Sequence, residues 1–484
     1  MSFNVKLGFV PTIRSRGGIS PWCDELRTRC IEALEAMEGF ELVYPTAAPD
    51  GQTLCGAKGH TTTGAVANLD EGEVVAEYFR REGVDGVILC SLNFGDERSC
   101  SKIAEELGVP VLVVATKEPP ALEDASLARL SDSYCGNLSI TSGLYRRKLP
   151  FYYAGIFFPE EEEFAEEVDI FARACSAVKA LKGARIGQVG VRPGTFETVA
   201  FNEVAMINKF GQNVIPINIS DLSATFEALA DDDPAVLARV SEIRNSVAEV
   251  TVAEDYLVNA AKFELALIEF WKQNKLSAMA VQCWPAARSL FGISVCSSYG
   301  RLTEQGLLTA CETDVLGSLA MLAQYAAARG EVIPHFIDWT IQHRENENWL
   351  LAWHCGNAPA SLAANPAKTG LRARPNMTGE LPAKENDPAA GLYQFQIKPG
   401  PVTFCRLAEY DGEWKMLIAT GEIIASDEDL AGTWAWVEVS DHSHLYRVLV
   451  EEGFIHHANM IHGDQVDVLL EVCLFLGIEP VVVE

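Results

Sequence analysis

The chain has 484 residues, 48% of them apolar and 22% charged, so it is too long for one hydrophobic core and reads as two to four globular domains. Acidic residues outnumber basic ones 67 to 38, a formal charge of -29, which argues against the basic footprint of a nucleic-acid-binding protein. No run approaches the ~18 apolar residues of a membrane span, and no export signal is expected at the start. The 13 cysteines are scattered and contain no CxxC pair. That favours reduced thiols in a cytoplasm over a disulfide framework or a structural zinc site.

Up to about residue 150 the pattern alternates strand and helix. Strands are expected over 6–10, 41–44, 84–90 and 109–115, with helices over 22–37, 71–82 and 99–106. Such a succession implies a parallel sheet covered on both faces. Ligands of these sheets gather in the loops that follow the strands. The first such loop, residues 11–18, offers Arg14 and Arg16 beside Gly17 and Gly18, and the second, residues 91–97, offers Asn93. Neither is a GxGxxG or a Walker loop, so they point to a phosphate or sugar hydroxyl rather than a nucleotide. Structural arginines at a subunit contact are the plainer alternative.

A second α/β segment, residues 151–330, opens with the acidic run Glu160 to Glu163, read as a solvated helix start. Strands are expected over 182–189, 213–217 and 276–282, the last ending in the polar amide of Gln282, a suitable contact for a polyol. From 331 to 484 the character changes to short alternating strands, which suggests a β-rich, barrel-like domain with a helix over 465–476 and a strand over 479–483. A Pro- and Ala-rich loop over 359–391 interrupts it. The overall expectation is two Rossmann-like α/β domains followed by a β-rich domain.

The stretch Thr309-Ala310-Cys311-Glu312-Thr313-Asp314-Val315-Leu316-Gly317 places two carboxylates before an apolar helix that runs to about residue 329. Acids at a helix start have a bland role, offsetting the partial charge of free N–H groups. Downstream, however, Asp338, His354, His456 and His457 also sit in apolar sequence. Buried carboxylates and imidazoles are costly unless paired or bound to a metal.

These motifs resemble those of the L-fucose isomerase and L-arabinose isomerase superfamily of aldose–ketose isomerases. Cys311-Glu312-Thr313-Asp314 is similar to the Thr-Glu-Asn-Asp motif whose glutamate binds metal in the fucose enzymes, and Phe336-Ile337-Asp338 to a Phe-Ala-Asp context. His456-His457 with the following Asn459 and Gly463 is similar to the segment that supplies a histidine ligand, and His354 to a further ligand of the arabinose branch. The resemblance implies a metal held by Glu312, Asp338 and His457, with His354 as fourth ligand or neighbour. It further implies an enediol route in which Glu312 and Asp338 act as the acid/base pair. Asp314 then keeps the role of a helix-start carboxylate or a support.

An oxygen and imidazole ligand set suits Mn²⁺ and tolerates Co²⁺ or Mg²⁺. Substrate contacts implied in the same way are Arg14 or Arg16 and Gln282. Trp434 and Trp436 are candidates for a sugar-stacking wall, with ordinary β-domain core as the alternative. His335, His343, His442, His444 and His462 are given no role and are expected at the surface or behind the site. His462 is the best placed of them to orient His457. The resemblance also implies a homo-hexamer acting on a small monosaccharide. The sugar stays open among L-fucose, D-arabinose, L-arabinose and a hexose with an anionic group at C6, a group that would employ Arg14 and Arg16. The rival readings are a sugar-binding or regulatory protein and a metal-dependent hydrolase or aldolase.

Overall fold

A computed structural model describes residues 3–14, 18–118, 130–373 and 391–484. Arg16 lies outside the described residues, as does most of the loop expected over 359–391. The chain divides into two compact units, one of residues 2–179 with 470–475 and the other of residues 180–469 with 476–484.

In the first unit five strands form a wholly parallel sheet. Its order is Phe40–Val43, Val5–Thr12, Gly86–Ser91, Val111–Thr116, Tyr152–Phe157. The interior strands Gly86–Ser91 and Val111–Thr116 are buried along their whole length, as expected where both faces are covered. Two apolar clusters flank the sheet, one built with Leu26, Cys30 and Leu34 of the helix Pro21–Glu35, the other with Val75 and Phe79 of Leu69–Glu82. Glycines end both Leu69–Glu82 and Glu97–Leu107 at left-handed C-caps, Gly83 and Gly108, where a side chain costs more. The acidic run beginning at Glu160 is not simply solvated: Glu160 pairs with Arg29 at 2.6 Å and Glu161 with Lys117 at 2.6 Å.

The second unit contains a four-stranded parallel sheet, ordered Thr309–Cys311, Ala278–Val281, Arg185–Val189, Asn213–Ile217. It also holds a ten-stranded mixed sheet. Within the latter, successive antiparallel pairings run Thr433–Glu438, Trp349–His354, His335–Gln342, His457–His462, Gly400–Tyr410, Glu413–Ile424. Glu413–Ile424 then pairs back with Thr433–Glu438, so these six strands close into a ring. Parallel contacts occur outside the ring, Leu392–Gln396 with Thr433–Glu438 and Glu413–Ile424 with Glu479–Val483.

Several strands differ from expectation. The strands are not all short: Glu413–Ile424 runs unbroken for 12 residues. A Cβ on Gly421 would lie 2.6 Å from Val437 Cγ1, so that glycine marks a close approach of strands rather than a break. His457–His462 is itself a strand, buried except at its end.

The helix Val315–Ala327 is buried everywhere but at Tyr325. A helix apolar all round belongs to an interior, and this one packs beside the ring strands Gly400–Tyr410 and His457–His462. No helix among the described residues is long and apolar enough to cross a membrane.

Candidate active site

The site forms where the parallel sheet of the second unit meets the ring strands. The strand Thr309–Cys311 ends in a tight turn, closed by the Asp314 N–H donating to the Cys311 carbonyl at 3.1 Å. Its two central residues, Glu312 and Thr313, have φ of 60° and 59°. This left-handed region is unfavourable for ordinary side chains and most of all for a β-branched one. Such strain costs roughly 1–3 kcal/mol per residue and persists only where the surroundings enforce it. Here the turn swings the Glu312 carboxylate toward the ring while Asp314 starts the buried helix.

Asp314 does three things. As N-cap its Oδ1 accepts from the Gly317 N–H at 2.9 Å, and its carboxylate takes two hydrogen bonds from the buried guanidinium of Arg406. Its Oδ2 lies 2.8 Å from His457 Nδ1. Anchoring Nδ1 in this way turns His457 Nε2 toward Glu312 Oε2, 2.8 Å away, and toward Asp338 Oδ1, 3.6 Å away. The support for His457 is therefore Asp314 and not His462, whose Nε2–H donates to the Lys398 carbonyl at 2.9 Å. His335 is likewise no surface residue; it is 1% exposed, and burial pushes its pKa down to about 3.

Asp338 and His457 face one another across paired strands. His354 ends the strand next to that of Asp338, and its Nδ1 accepts from the Cys355 N–H at 2.9 Å. The ligand atoms of Asp338, His354 and His457 lie within 4.8 Å of one another, as do those of Glu312, His456 and His457. The four residues expected to converge do so.

Burial pushes the Glu312 carboxyl up, but the hydrogen bond from His457 and the nearby imidazole charges outweigh it, leaving the group at about 2. Asp314 behaves similarly: burial raises it, and Arg406 and His457 hold it well below the usual carboxylate range. For His457 burial acts downward, and hydrogen bonds with Asp314 and Glu312 more than reverse it, to about 9. His354 is also raised to about 9, against burial, chiefly by Asp338. The three carboxylates Glu312, Asp314 and Asp338 demand positive charge beside them, and Arg406 and the two raised imidazoles supply it here.

A divalent cation fits that demand. Asp338 Oδ1 and His354 Nε2 are buried atoms without hydrogen-bond partners, a state that costs ~1–3 kcal/mol per group unless something satisfies it. Two carboxylates and two imidazoles are also a donor set that divalent ions accept.

The remaining expected residues are placed differently. Gln282 is buried at the end of Ala278–Val281, where its backbone carbonyl accepts from the Tyr299 hydroxyl at 3.2 Å. Gly190 comes so close that an added Cβ would lie 2.6 Å from Gln282 Oε1. Trp434 and Trp436 do not form an open stacking wall. They are 1% and 6% exposed, packed in a cluster with Leu351, and Trp436 Nε1 donates to Glu428 at 2.8 Å. Their faces are consumed by core packing. In the first unit, the Arg14 backbone N–H donates to Asn93 Oδ1 at 2.6 Å, and its guanidinium lies 3.6 Å above the Phe94 ring.

Three contributors escaped the sequence reading. Trp284 Nε1 donates to Glu312 Oε1 at 3.0 Å. The Phe196 ring packs edge-on against Trp284 and His456, at 5.4 and 5.2 Å. Arg406 is the third, and it left a trace: a lone charge inside the apolar run Phe404 to Ala408, which needs a buried partner.

A strained carboxylate, a second acid and two imidazoles thus meet at the junction of a parallel sheet and a closed ring. Residues 41–182 match the model for the fucose/sulfoquinovose isomerase N-terminal domain, and residues 352–483 that for the L-fucose isomerase C-terminal domain. The chain belongs to the L-fucose isomerase-like superfamily of aldose–ketose isomerases. A sulfoquinovose isomerase of Alkalicoccus urumqiensis is 26% identical over 402 residues, covering 83% of this chain and 86% of that protein. One of Priestia megaterium is 27% identical over 418 residues, covering 86% and 89%. Among solved structures, a periplasmic solute-binding protein of Actinobacillus succinogenes 130z with bound D-allose is 12% identical and covers 68% of this chain and 93% of its own. Its TM-score is 0.17, too low to carry an argument.

Proposed function

We propose that this chain interconverts a C6-sulfonated aldose, sulfoquinovose in the first instance, and its ketose through an enediol, using Mn²⁺. The observation that carries the reading is that Asp338 and His354 cluster with His457 while Glu312 reaches the same imidazole. The relatives named as sulfoquinovose isomerases support the choice of sugar. The reaction removes a proton from the carbon beside the carbonyl and returns one to its neighbour.

In this reading Glu312 and Asp338 share the two transfers between C1 and C2. Asp338 is the more open of the pair, its side chain 25% exposed against 11% for Glu312, so it meets the sugar from the solvent side. Glu312 is held from behind by Trp284 and faces His457. His457, pinned by Asp314, and His354 complete the ion's ligand set with the two carboxylates. When bound, a divalent ion supplies Lewis-acid stabilisation of developing negative charge on oxygen, worth several kcal/mol. Arg14 and Arg16, lent by the first domain of a neighbouring subunit in a homo-hexamer, are the cations assigned to the sulfonate. Thirteen free cysteines support work in a reducing compartment.

The test is incubation of the Mn²⁺-loaded protein in deuterated water with sulfoquinovose, L-fucose, L-arabinose and D-arabinose. Ketose from sulfoquinovose, carrying deuterium at C1 or C2, is expected. No ketose from any of the four, or product without label as a hydride shift leaves it, overturns the reading.

A further inference from the structure

Immediately behind Glu312 lies a group of side chains that the isomerase chemistry leaves unused. Cys283 follows the strand Ala278–Val281, Cys296 opens the helix Cys296–Glu304, and Cys311 ends the strand Thr309–Cys311. All three are buried free thiols, and their sulfurs lie within 4.8 Å of one another. Free cysteine is commonly a small core hydrophobe, and a single thiol in such a place would carry no meaning. Here the sequence intervals are long and irregular, yet three separate elements deliver their sulfurs to one point. The lack of a CxxC motif therefore does not exclude a thiolate site in this chain. The fold assembles what the sequence spacing does not show.

We propose that Cys283, Cys296 and Cys311 form a second metal site, for a thiophilic divalent ion of the zinc or cadmium class. It is distinct from the oxygen and imidazole site at Asp338, His354 and His457. Zn–S bonds of about 2.3 Å set sulfurs roughly 3.8 Å apart around a tetrahedral ion. The present spacing, within 4.8 Å, exceeds that by about 1 Å at most. Each ligating thiol passes its proton to the buffer, so no oxidant or reductant is needed.

The site also touches the reaction centre. Cys311 is bonded to Glu312, and Cys283 Sγ is 4.0 Å from Glu312 Oε1. An ion held there fixes the strand end from which the strained turn departs, and soft-metal loading thereby becomes a control on the Glu312 carboxylate.

Cd²⁺ alone, added to the reduced, metal-stripped full chain, tests the proposal without reference to isomerase activity. One equivalent is expected to produce a thiolate-to-cadmium charge-transfer band in the ultraviolet. X-ray absorption at the cadmium edge is expected to show three sulfur neighbours. Cys296→Ser is expected to weaken that binding by more than about tenfold, the lower end of what even supporting contacts contribute to metal affinity. Cys90→Ser, in the first unit, is expected to leave it unchanged. Oxygen and nitrogen neighbours only, or fewer than three sulfurs, in the unaltered protein overturn the site even if a variant fails to fold. A band that survives Cys296→Ser or disappears with Cys90→Ser does the same.

Discussion

His457 sits between three carboxylates, and its protonation decides what the centre can bind. In the metal-free chain both His457 and His354 are raised from an ordinary value of 6.5 to about 9. A basic group whose folded pKa is raised stabilises the fold fully below its unfolded value and loses that contribution as pH climbs through the folded value. The melting temperature of the metal-stripped protein should therefore fall between pH 6.5 and about 9, followed by calorimetry. Manganese must displace the same protons. Its affinity should rise with pH through that window, and titration at neutral pH should release protons to the buffer. A flat affinity profile would show that the imidazoles are not ligands. At the same scale, Glu312→Gln keeps the shape of the side chain and removes its charge. Turnover should drop by about 10²-fold or more, the usual share of a general acid or base, and the melting temperature of the metal-stripped protein should fall as well, because His457 loses one of the carboxylates that hold it charged.

The elements explain why those residues meet. Asp314 and Arg406 tie the start of the helix Val315–Ala327 to the strand Gly400–Tyr410, and Asn459 Nδ2 donates to the Gly317 carbonyl at 2.9 Å from the strand His457–His462. Arg406→Met would leave Asp314 a buried charge with its main partner gone, and such losses run to about 3–5 kcal/mol. Denaturant unfolding should register that, together with weaker manganese binding as His457 loses its fixed orientation. Gly317 poses a sharper question. Glycine in a helix interior normally yields about 1 kcal/mol of stability when replaced by alanine. Here an added Cβ would come within 2.6 Å of the Phe336 ring and 2.8 Å of Asp314 Oδ2, so Gly317→Ala should destabilise and weaken metal binding together.

At this scale the sequence was informative wherever a pattern repeats. The strands of the first sheet follow from their apolar runs, and Glu312, Asp338, His354 and His457 from short motifs. Arg406, Trp284 and Phe196 act through tertiary contacts between residues far apart in sequence, which no local period encodes. Asp314 illustrates the limit well: its helix-capping role was readable from the sequence, whereas its grip on His457 depends on a strand 143 residues later.

For the whole molecule the dominant quantity is charge. A formal charge of -29 makes the compact state repel itself. Ions that bind the folded chain and not the unfolded one stabilise it by mass action, by ~2.7 kcal/mol at one hundred times Kd. Stripping divalent ions with a chelator should lower the melting temperature, and manganese should restore it. The restoration should be absent in Asp338→Asn. Sodium chloride should recover part of the loss in both proteins, since it screens the general repulsion without filling the site.

The turn at Glu312 and Thr313 sets heat resistance and turnover against each other for anyone evolving this protein. Glycine accepts a φ of 59° without the penalty a threonine bears, so Thr313→Gly should appear among clones selected only for survival on heating. The same clones should make product more slowly, because a relaxed turn lets the carboxylate wander from His457. Libraries screened on ketose formation should keep the threonine.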